Sequence, residues 1–154
     1  MQDIFNTGTD TTSIVTEWAM SELMKNPKVM AKVQAEVRQV CKGKKTIEEK
    51  DIQKLTYLKM VVKETLRLHP PVPLIPRSNK EIKPRCQRRM CPAITFGLVN
   101  VELPLAHLLY HFDWGLPDGM KVDDLDMDES IGITVGRKND LYLVATAYYP
   151  SWNE

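Results

Sequence analysis

Lys-Glu-Thr-Leu-Arg-Leu-His-Pro-Pro, residues 63–71, ends an amphipathic helix and begins an extended segment. Apolar side chains recur at helical spacing up to this stretch, at Tyr57, Leu58, Val61, Val62, Thr65 and Leu68. His69 precedes two prolines, and a residue before proline is driven out of the helical region of backbone space. The stretch therefore predicts a helix through Leu68, followed by coil as far as Arg85.

Three further helices are predicted before this stretch. The pattern over residues 13–24 predicts the first, which Asn26 and Pro27 end. Asn26 is expected to cap the second helix, because Pro27 suits its first position and valines follow at helical spacing. Thr46 and Glu49 have the spacing of a capping box, which predicts a short third helix.

The second half of the chain mixes helix and strand signals. Residues 92–112 are rich in Leu and Val and predict a long, largely buried helix that Pro104 kinks or breaks. Residues 131–135 and 141–146 predict the two strands of a hairpin around Arg137. The fold class is therefore mainly α, with a small C-terminal β-hairpin.

Composition limits the classes of function. A chain of 154 residues with 43% hydrophobic content forms one domain with a core, and its net charge of +1 argues against nucleic-acid binding. Three cysteines, Cys41, Cys86 and Cys91, cannot all pair, so we expect reduced thiols in a cytosol-facing protein. No stretch reaches the roughly 20 apolar residues of a membrane span, so we expect no anchor in this chain.

Two polar constellations each allow a structural and a chemical interpretation. Gly8–Thr12 has the residues of a helix start, but Asp10 beside Thr11 could also relay protons into a dry pocket. Glu64 and Arg67 lie three residues apart and share a helix face. They form either an exposed surface pair or a buried pair that needs further hydrogen-bond partners.

A third constellation has the outline of a zinc site. Cys86, Cys91, His107 and His111 follow the spacing C-x4-C-x15-H-x3-H, and two thiolates with two histidines can hold a tetrahedral metal. The interval between the pairs exceeds the roughly 12 residues of the usual finger. The competing interpretation makes both histidines polar tips of a mostly buried helix.

Taken in order, these segments resemble the C-terminal part of a plant microsomal cytochrome P450. Residues 3–12 are similar to the oxygen-binding stretch of that family's central helix, with its pattern [AG]-G-x-[DE]-T-[TS]. Residues 63–71 resemble the E-x-x-R helix. Residues 88–93, followed by 96–106, resemble the haem-ligand loop and the helix behind it.

The resemblance implies a role for each matching residue. Cys91 would be the thiolate ligand of haem iron, and nearby arginines would stabilise the anion. Arg77 and Arg89 match positions that hold the haem propionates. Asp10 and Thr11 would deliver protons during oxygen activation.

The resemblance also implies surroundings and partners. Glu64 and Arg67 would be a buried structural pair that holds the haem-loop side of the core. The family inserts one oxygen atom of O2 into a small lipophilic plant metabolite, with electrons from NADPH-cytochrome P450 reductase, at the cytosolic face of the endoplasmic reticulum membrane. No nucleic-acid partner is expected.

Departures from the family pattern lie around the haem loop. The family motif F-x-x-G-x-R-x-C-x-G keeps only Arg89 and Cys91 here, because Pro84, Gln87 and Ala93 replace the other three anchors. Glycines allow a tight loop around the thiolate, so the replacements predict strain or a different loop.

The connection before the haem ligand is also short. Only thirteen residues, 78–90, separate Arg77 from Cys91, where the family has several strands and a long meander. We therefore interpret residues 1–154 as a single partial domain, with residues 1–76 and 91–154 joined at a deletion junction, 77–90. The expected function is that of a haem-thiolate monooxygenase in an inactive or crippled form. The alternatives are a non-catalytic helical fragment and the zinc-binding module.

Overall fold

The computed structural model describes residues 2–44, 46–73, 93–117, 119–130 and 132–149. The elements in these ranges are α1 (Gln2–Lys25), α2 (Pro27–Val40), α3 (Glu49–Ile52), α4 (Thr56–Leu68), α5 (Ile94–His111), β1 (Phe112–Gly115), a 3-10 turn (Val122–Asp124) and β2 (Val144–Ala147). The predicted class, mainly α with a small C-terminal β-hairpin, is confirmed in its helical content and in the presence of a small two-stranded antiparallel sheet. No helix in the described part of the chain is long and apolar enough to cross a membrane.

The core lies where α1, α2, α4 and α5 pack against one another. Each helix buries one apolar face, and fully buried side chains include Trp18, Val33, Leu58 and Leu105. Full burial of one Leu side chain contributes about 1.5–3 kcal/mol, so these residues supply much of the free energy of folding. α4 ends at Leu68, as predicted from the His-Pro-Pro stretch, and its buried face packs against α1.

The helix starts differ from the predictions in three places. α1 begins at Gln2, so Gly8–Thr12 lies inside the helix and does not start it. Asn26 precedes α2, but its side-chain amide donates to Glu22 O at 2.8 Å and does not cap the new helix. The α3 capping box uses Glu48 and Asp51, because the Asp51 carboxylate accepts the Glu48 N–H at 3.3 Å.

α5 is continuous through Pro104 and buried over only half of its length. Its buried face begins at Val101, whereas Ile94 is exposed and Phe96 is 70% exposed. The prediction of a largely buried helix was wrong, and so was a break at the proline, whereas the alternative of a kink there stays a prediction. Leu105, the residue after the proline, is fully buried, and we infer that this packing holds the helix together despite the missing N–H.

The sheet pairs β1 with β2, from Phe112 opposite Ala147 to Gly115 opposite Val144. The predicted hairpin was therefore wrong in its first strand, although residues 141–146 overlap β2. In place of the first strand, the described residues form an isolated antiparallel β-bridge between Glu129 and Arg137. Arg137, predicted as a turn residue, has its side chain buried against α1. Its guanidinium donates to Ser21 Oγ at 2.9 Å, and this hydrogen bond fixes the neighbouring residues against the helix.

Candidate functional site

α1 and α5 line a cleft of about 630 Å³. The α1 wall carries the hydroxyls of Thr9, Thr12 and Thr16, which share one helix face because of their spacing. The α5 wall includes Asn100 and Pro104. The other residues around the cleft are Ser13, Glu17, Met20, Leu108, Trp114, Asp140, Leu141 and Leu143.

Two hydroxyls of the α1 wall donate to their own helix. Thr12 Oγ1 lies 2.9 Å from Gly8 O and 3.0 Å from Thr9 O, and Thr16 Oγ1 lies 2.9 Å from Thr12 O. The hydroxyl protons are thereby used, but a hydroxyl oxygen that donates one bond still accepts others. This wall therefore offers the cleft hydrogen-bond acceptors beside threonine methyl groups.

The structure separates the predicted proton-delivery pair from this wall. Asp10 is exposed, and its Oδ2 accepts a hydrogen bond from Thr134 Oγ1 at 3.2 Å. Thr11 is half-buried, and neither residue is part of the cleft lining. The helical repeat places residues 9, 12 and 16 on one face and turns residue 10 toward a neighbouring face.

Glu64 and Arg67 form a bidentate ion pair on the surface. Arg67 Nε donates to Glu64 Oε2 at 2.8 Å, and Nη2 donates to Oε1 at 2.7 Å. The side chains are 55% and 65% exposed, so the expectation that this pair is buried was wrong. The buried face of α4 carries Leu58, Val62 and Thr65, and the pair lies outside it. The hydrogen bond from Arg67 lowers the pKa of Glu64, and the same bond raises the pKa of Arg67.

Two carboxyl groups in the interior have pKa values that are shifted in opposite directions. Asp51 is 1% exposed, and a hydrogen bond from Lys44 lowers its pKa against the effect of desolvation. Glu102 on α5 is also buried, and desolvation raises its pKa although Lys59 and Lys63 lower it in part. The free energy of unfolding should therefore respond to pH in opposite directions at these two positions.

The predicted haem ligands lie outside the described residues. These are Arg77, Arg89 and Cys91, together with Cys86 of the zinc alternative. The other two zinc candidates, His107 and His111, have stacked rings with centroids 5.7 Å apart. Within the described ranges, no group of three or more His, Cys, Asp or Glu side chains could hold a metal ion.

Sequence reasoning missed Thr12, Thr16 and Thr134. The spacing of Thr9, Thr12 and Thr16 is visible in the sequence, so their common face could have been predicted. Thr134 could not, because it contacts Asp10 across 124 residues and no local pattern marks that contact.

Comparison with known proteins relates the chain to one protein family. The family model for cytochrome P450 matches residues 1–82. Premnaspirodiene oxygenase of Hyoscyamus muticus is 44% identical over 204 residues, covering 97% of this chain and 41% of that protein. Cytochrome P450 71D8 of Glycine max is 44% identical over 203 residues, with 97% and 40% covered. Germacrene A hydroxylase of Barnadesia spinosa is 43% identical over 201 residues, with 95% and 40% covered.

The lengths of these alignments carry further information. The chain spans about two fifths of the length of the curated relatives it matches. The alignment with premnaspirodiene oxygenase is 204 residues long, which exceeds the 154 residues of the chain. That relative therefore has residues inside the matched range with no counterpart here. The family match over more than half of the chain, including α1 to α4, shows that the chain belongs to the cytochrome P450 family.

Proposed function

We propose that this chain carries the haem-binding and oxygen-activating part of a haem-thiolate monooxygenase, in a form that is crippled when alone. One observation carries the proposal. The α1 stretch that resembles the family's oxygen-binding motif and the helix that resembles its haem-loop helix line the same cleft. Family membership supports haem as the cofactor.

The residues around the cleft fit a flat, mostly apolar group. Pro104, Leu108, Leu141 and Leu143 offer apolar contacts, and the threonines of α1 offer methyl groups with hydroxyl acceptors behind them. This fit supports the proposed haem site.

Residues near the deletion junction would hold the cofactor. Cys91 would bind iron as a thiolate, and the positive charge of Arg88 and Arg89 would favour that anion. Arg77 and Arg89 would bind the propionates, because guanidinium groups match carboxylates with two parallel hydrogen bonds. Bound haem would supply the oxygen chemistry, which the thiolate ligand favours.

Asp10 and Thr11 would supply protons at the edge of the cleft. Asp10 is exposed, so its carboxyl can exchange protons with water, and Thr134 holds one of its oxygens. Thr11, the next residue, would pass the proton onward through its hydroxyl. The solvent exposure of Asp10 supports the proposal that the chain is inactive or crippled on its own, because oxygen activation requires a site from which water is excluded.

The substrate and partners follow from the family. Two relatives are named for the oxygenation of premnaspirodiene and the hydroxylation of germacrene A. We therefore propose O2 and a small lipophilic plant metabolite as substrates and NADPH-cytochrome P450 reductase as the electron donor. The proposed location is the cytosolic face of the endoplasmic reticulum membrane.

A haem-binding spectrum tests this proposal. Purified protein is titrated with haem, reduced and exposed to carbon monoxide, and a strongly red-shifted Soret band typical of thiolate ligation is expected. Cys91→Ser should lose that band, whereas the matched control Cys86→Ser should keep it. Absence of haem uptake, or an unchanged band in Cys91→Ser, would contradict the proposal.

The crippled activity is tested with the same preparations. In the presence of reductase, NADPH and a terpene hydrocarbon, we expect no more oxygenated product than in a reaction without the protein. Turnover that Cys91→Ser abolishes would show that the chain is a competent enzyme on its own.

A further inference from the structure

A C-terminal segment, called the 129–137 segment and described at residues 129–130 and 132–137, contacts α1 and the residues that follow α4. Two hydrogen bonds hold it there. The Thr134 hydroxyl donates to the Asp10 carboxylate at 3.2 Å, and the Val135 N–H donates to Pro71 O at 2.9 Å. Gly136 packs on Ile14, whose Cγ1 is 3.5 Å from the position of an added Cβ. The segment therefore binds the carboxylate of Asp10, which lies in the stretch that resembles the family's oxygen-binding motif.

A stacked pair of rings lies beneath this segment. The rings of Trp18 and His69 are 3.8 Å apart between centroids and 2° from parallel. The guanidinium carbon of Arg137 lies 5.4 Å from the Trp18 ring, within the distance of a cation–π contact. Trp18 is fully buried and His69 is largely buried, so the stack joins α1 to the end of α4 in a place with little water.

Both nitrogens of the His69 ring face carboxyl groups. Nε2 lies 2.9 Å from Glu22 Oε1 on α1, and Nδ1 lies 3.4 Å from Glu129 Oε1 on the segment. A neutral imidazole has one N–H, whereas the charged ring has two, and carboxylates only accept hydrogen bonds. Only the charged ring therefore donates to both carboxylates at once.

His69 also lies at the junction of three parts of the fold. It is the first residue after α4, and its own N–H donates to Thr65 O at 2.8 Å. The ring therefore joins the end of α4 to Glu22 on α1 and to Glu129 on the segment.

We infer that protonation of His69 latches the 129–137 segment onto α1 and α4 through Glu22 and Glu129. The latch holds Thr134 against Asp10 and the Val135 amide against Pro71. When the ring loses a proton, one of the two carboxylates loses its donor, and we take the segment-side bond, the longer of the two, to weaken first. The latch itself does not depend on haem, and only its consequence for Asp10 during oxygen activation rests on the proposed function.

Other charged groups lie near the stack of Trp18 and His69 and bear on how the attachment of the segment varies with pH. Arg137 keeps its charge at all relevant pH values and lies 3.6 Å from Glu17, so its anchor on α1 is constant. Arg67 near the end of α4 is paired with Glu64. The charged groups that contact His69 in the described residues are Glu22 from α1 and Glu129 from the segment, and Arg137 lies on the Trp18 ring of the same stack.

The sign of the effect follows from these contacts. Histidine changes charge between about pH 5 and 8. The charged form makes both contacts, so the segment is held most firmly at the acidic end of this range and released as pH rises. The carboxylates must stay ionised for the latch to act, so the range of interest stops above the pH at which they are protonated.

Backbone amide exchange measured by NMR without haem tests the latch. The probe is the protection factor of the Val135 amide, which corrects for the intrinsic pH dependence of exchange. From about pH 5.5 to about pH 8.5, this factor should fall roughly tenfold, as befits loss of one hydrogen bond to a charged group. The amide of Leu58 in α4 should keep its protection, which separates release of the segment from global unfolding.

Two substitutions isolate His69. His69→Phe keeps an aromatic ring against Trp18 but removes both nitrogens, so protection of Val135 should no longer vary with pH. His107→Phe is the matched control, because it removes another of the three histidines of the chain and should leave the tenfold response intact. A response in His69→Phe equal to that of the unmodified protein would overturn the inference, as would protection that rises with pH.

A milder variant keeps the test decisive if His69→Phe does not fold. Glu129→Gln changes a half-exposed side chain and should reduce the pH response of Val135 at least threefold, because the neutral amide attracts the charged ring less. An unaltered response in this variant would count against the latch. Failure of haem uptake would leave all these results unaffected, so the two proposals fail separately.

Discussion

Among the residues of α1 and α5 whose burial is described, each helix has a buried half and an exposed half. The buried halves, residues 15–24 and 101–110, carry most of the apolar core of these two helices. The described exposed positions include Gly8–Asp10 on α1, within the stretch that resembles the oxygen-binding motif, and Phe96 on α5, where the segment that resembles the haem-loop helix begins. The scaffold is therefore held by the buried parts of both helices, which include residues 101–106 of the segment that resembles the haem-loop helix, whereas the exposed ends contribute little to the packing.

The largest expected difference between the two halves comes from truncating apolar side chains. Leu105→Ala removes a fully buried side chain from α5 and should lower the free energy of unfolding by about 2–5 kcal/mol. Phe96→Ala, in the exposed half of the same helix, should change it by less than about 0.5 kcal/mol. Chemical denaturation measures both, and equal losses would remove the distinction between the halves.

The buried carboxylate of Asp51 should give the next largest effect. Asp51→Asn removes the charge that Lys44 contacts, so we expect a clear fall in Tm at pH 7. Because the folded-state pKa of Asp51 is lowered, its stabilisation is present above the ordinary Asp pKa of about 3.9 and is lost as pH falls through the folded value. The difference between Asp51→Asn and the unmodified protein should therefore shrink below about pH 4, and a constant difference would argue against the ion pair.

Glu102 should show a smaller effect of opposite sign. Burial raises the pKa of this carboxyl, so its ionisation in the folded state opposes folding at neutral pH. Glu102→Gln should raise Tm by a few degrees at pH 7, and the gain should disappear below the ordinary Glu pKa of about 4.3. Thermal unfolding across this pH range measures it, and a loss of stability at pH 7 would mean that Lys59 and Lys63 outweigh the desolvation.

The exposed pair should give the smallest effect. Glu64→Ala breaks both hydrogen bonds to Arg67, but water replaces them at this surface, so Tm should stay within measurement error. Because salt screens exposed charges, any residual difference should vanish at high ionic strength. A large loss would show that the pair has partners beyond those in the described residues and would restore the original expectation of burial.

Local patterns in the sequence predicted the helices well and the long-range contacts poorly. The end of α4 at Leu68 follows from the prolines after His69, a purely local steric effect. β2 was found by its β-branched residues, but its partner β1 lies more than 28 residues upstream, directly after α5, and nothing local to β2 indicates that.

The candidate site shows the same limit. The threonine spacing in α1 could have predicted the cleft face, because helical periodicity is local. The exposure of Glu64 and Arg67 depends on what packs against α4, and the contact from Thr134 to Asp10 depends on where a distant segment lies. Neither kind of information is contained in motif spacing.

Amide hydrogen exchange with and without one equivalent of haem tests the central claim most directly. If the exposed halves are the haem-binding face of a cytochrome P450, residues 8–13 and 94–100 should gain protection when haem binds. Residues 15–24 and 101–110 also reach the cleft, but their amides lie in the packed parts of the helices and should gain less, and Cys91→Ser should abolish the gain. Haem binding that protects neither exposed half, or that protects them equally in Cys91→Ser, would contradict the account.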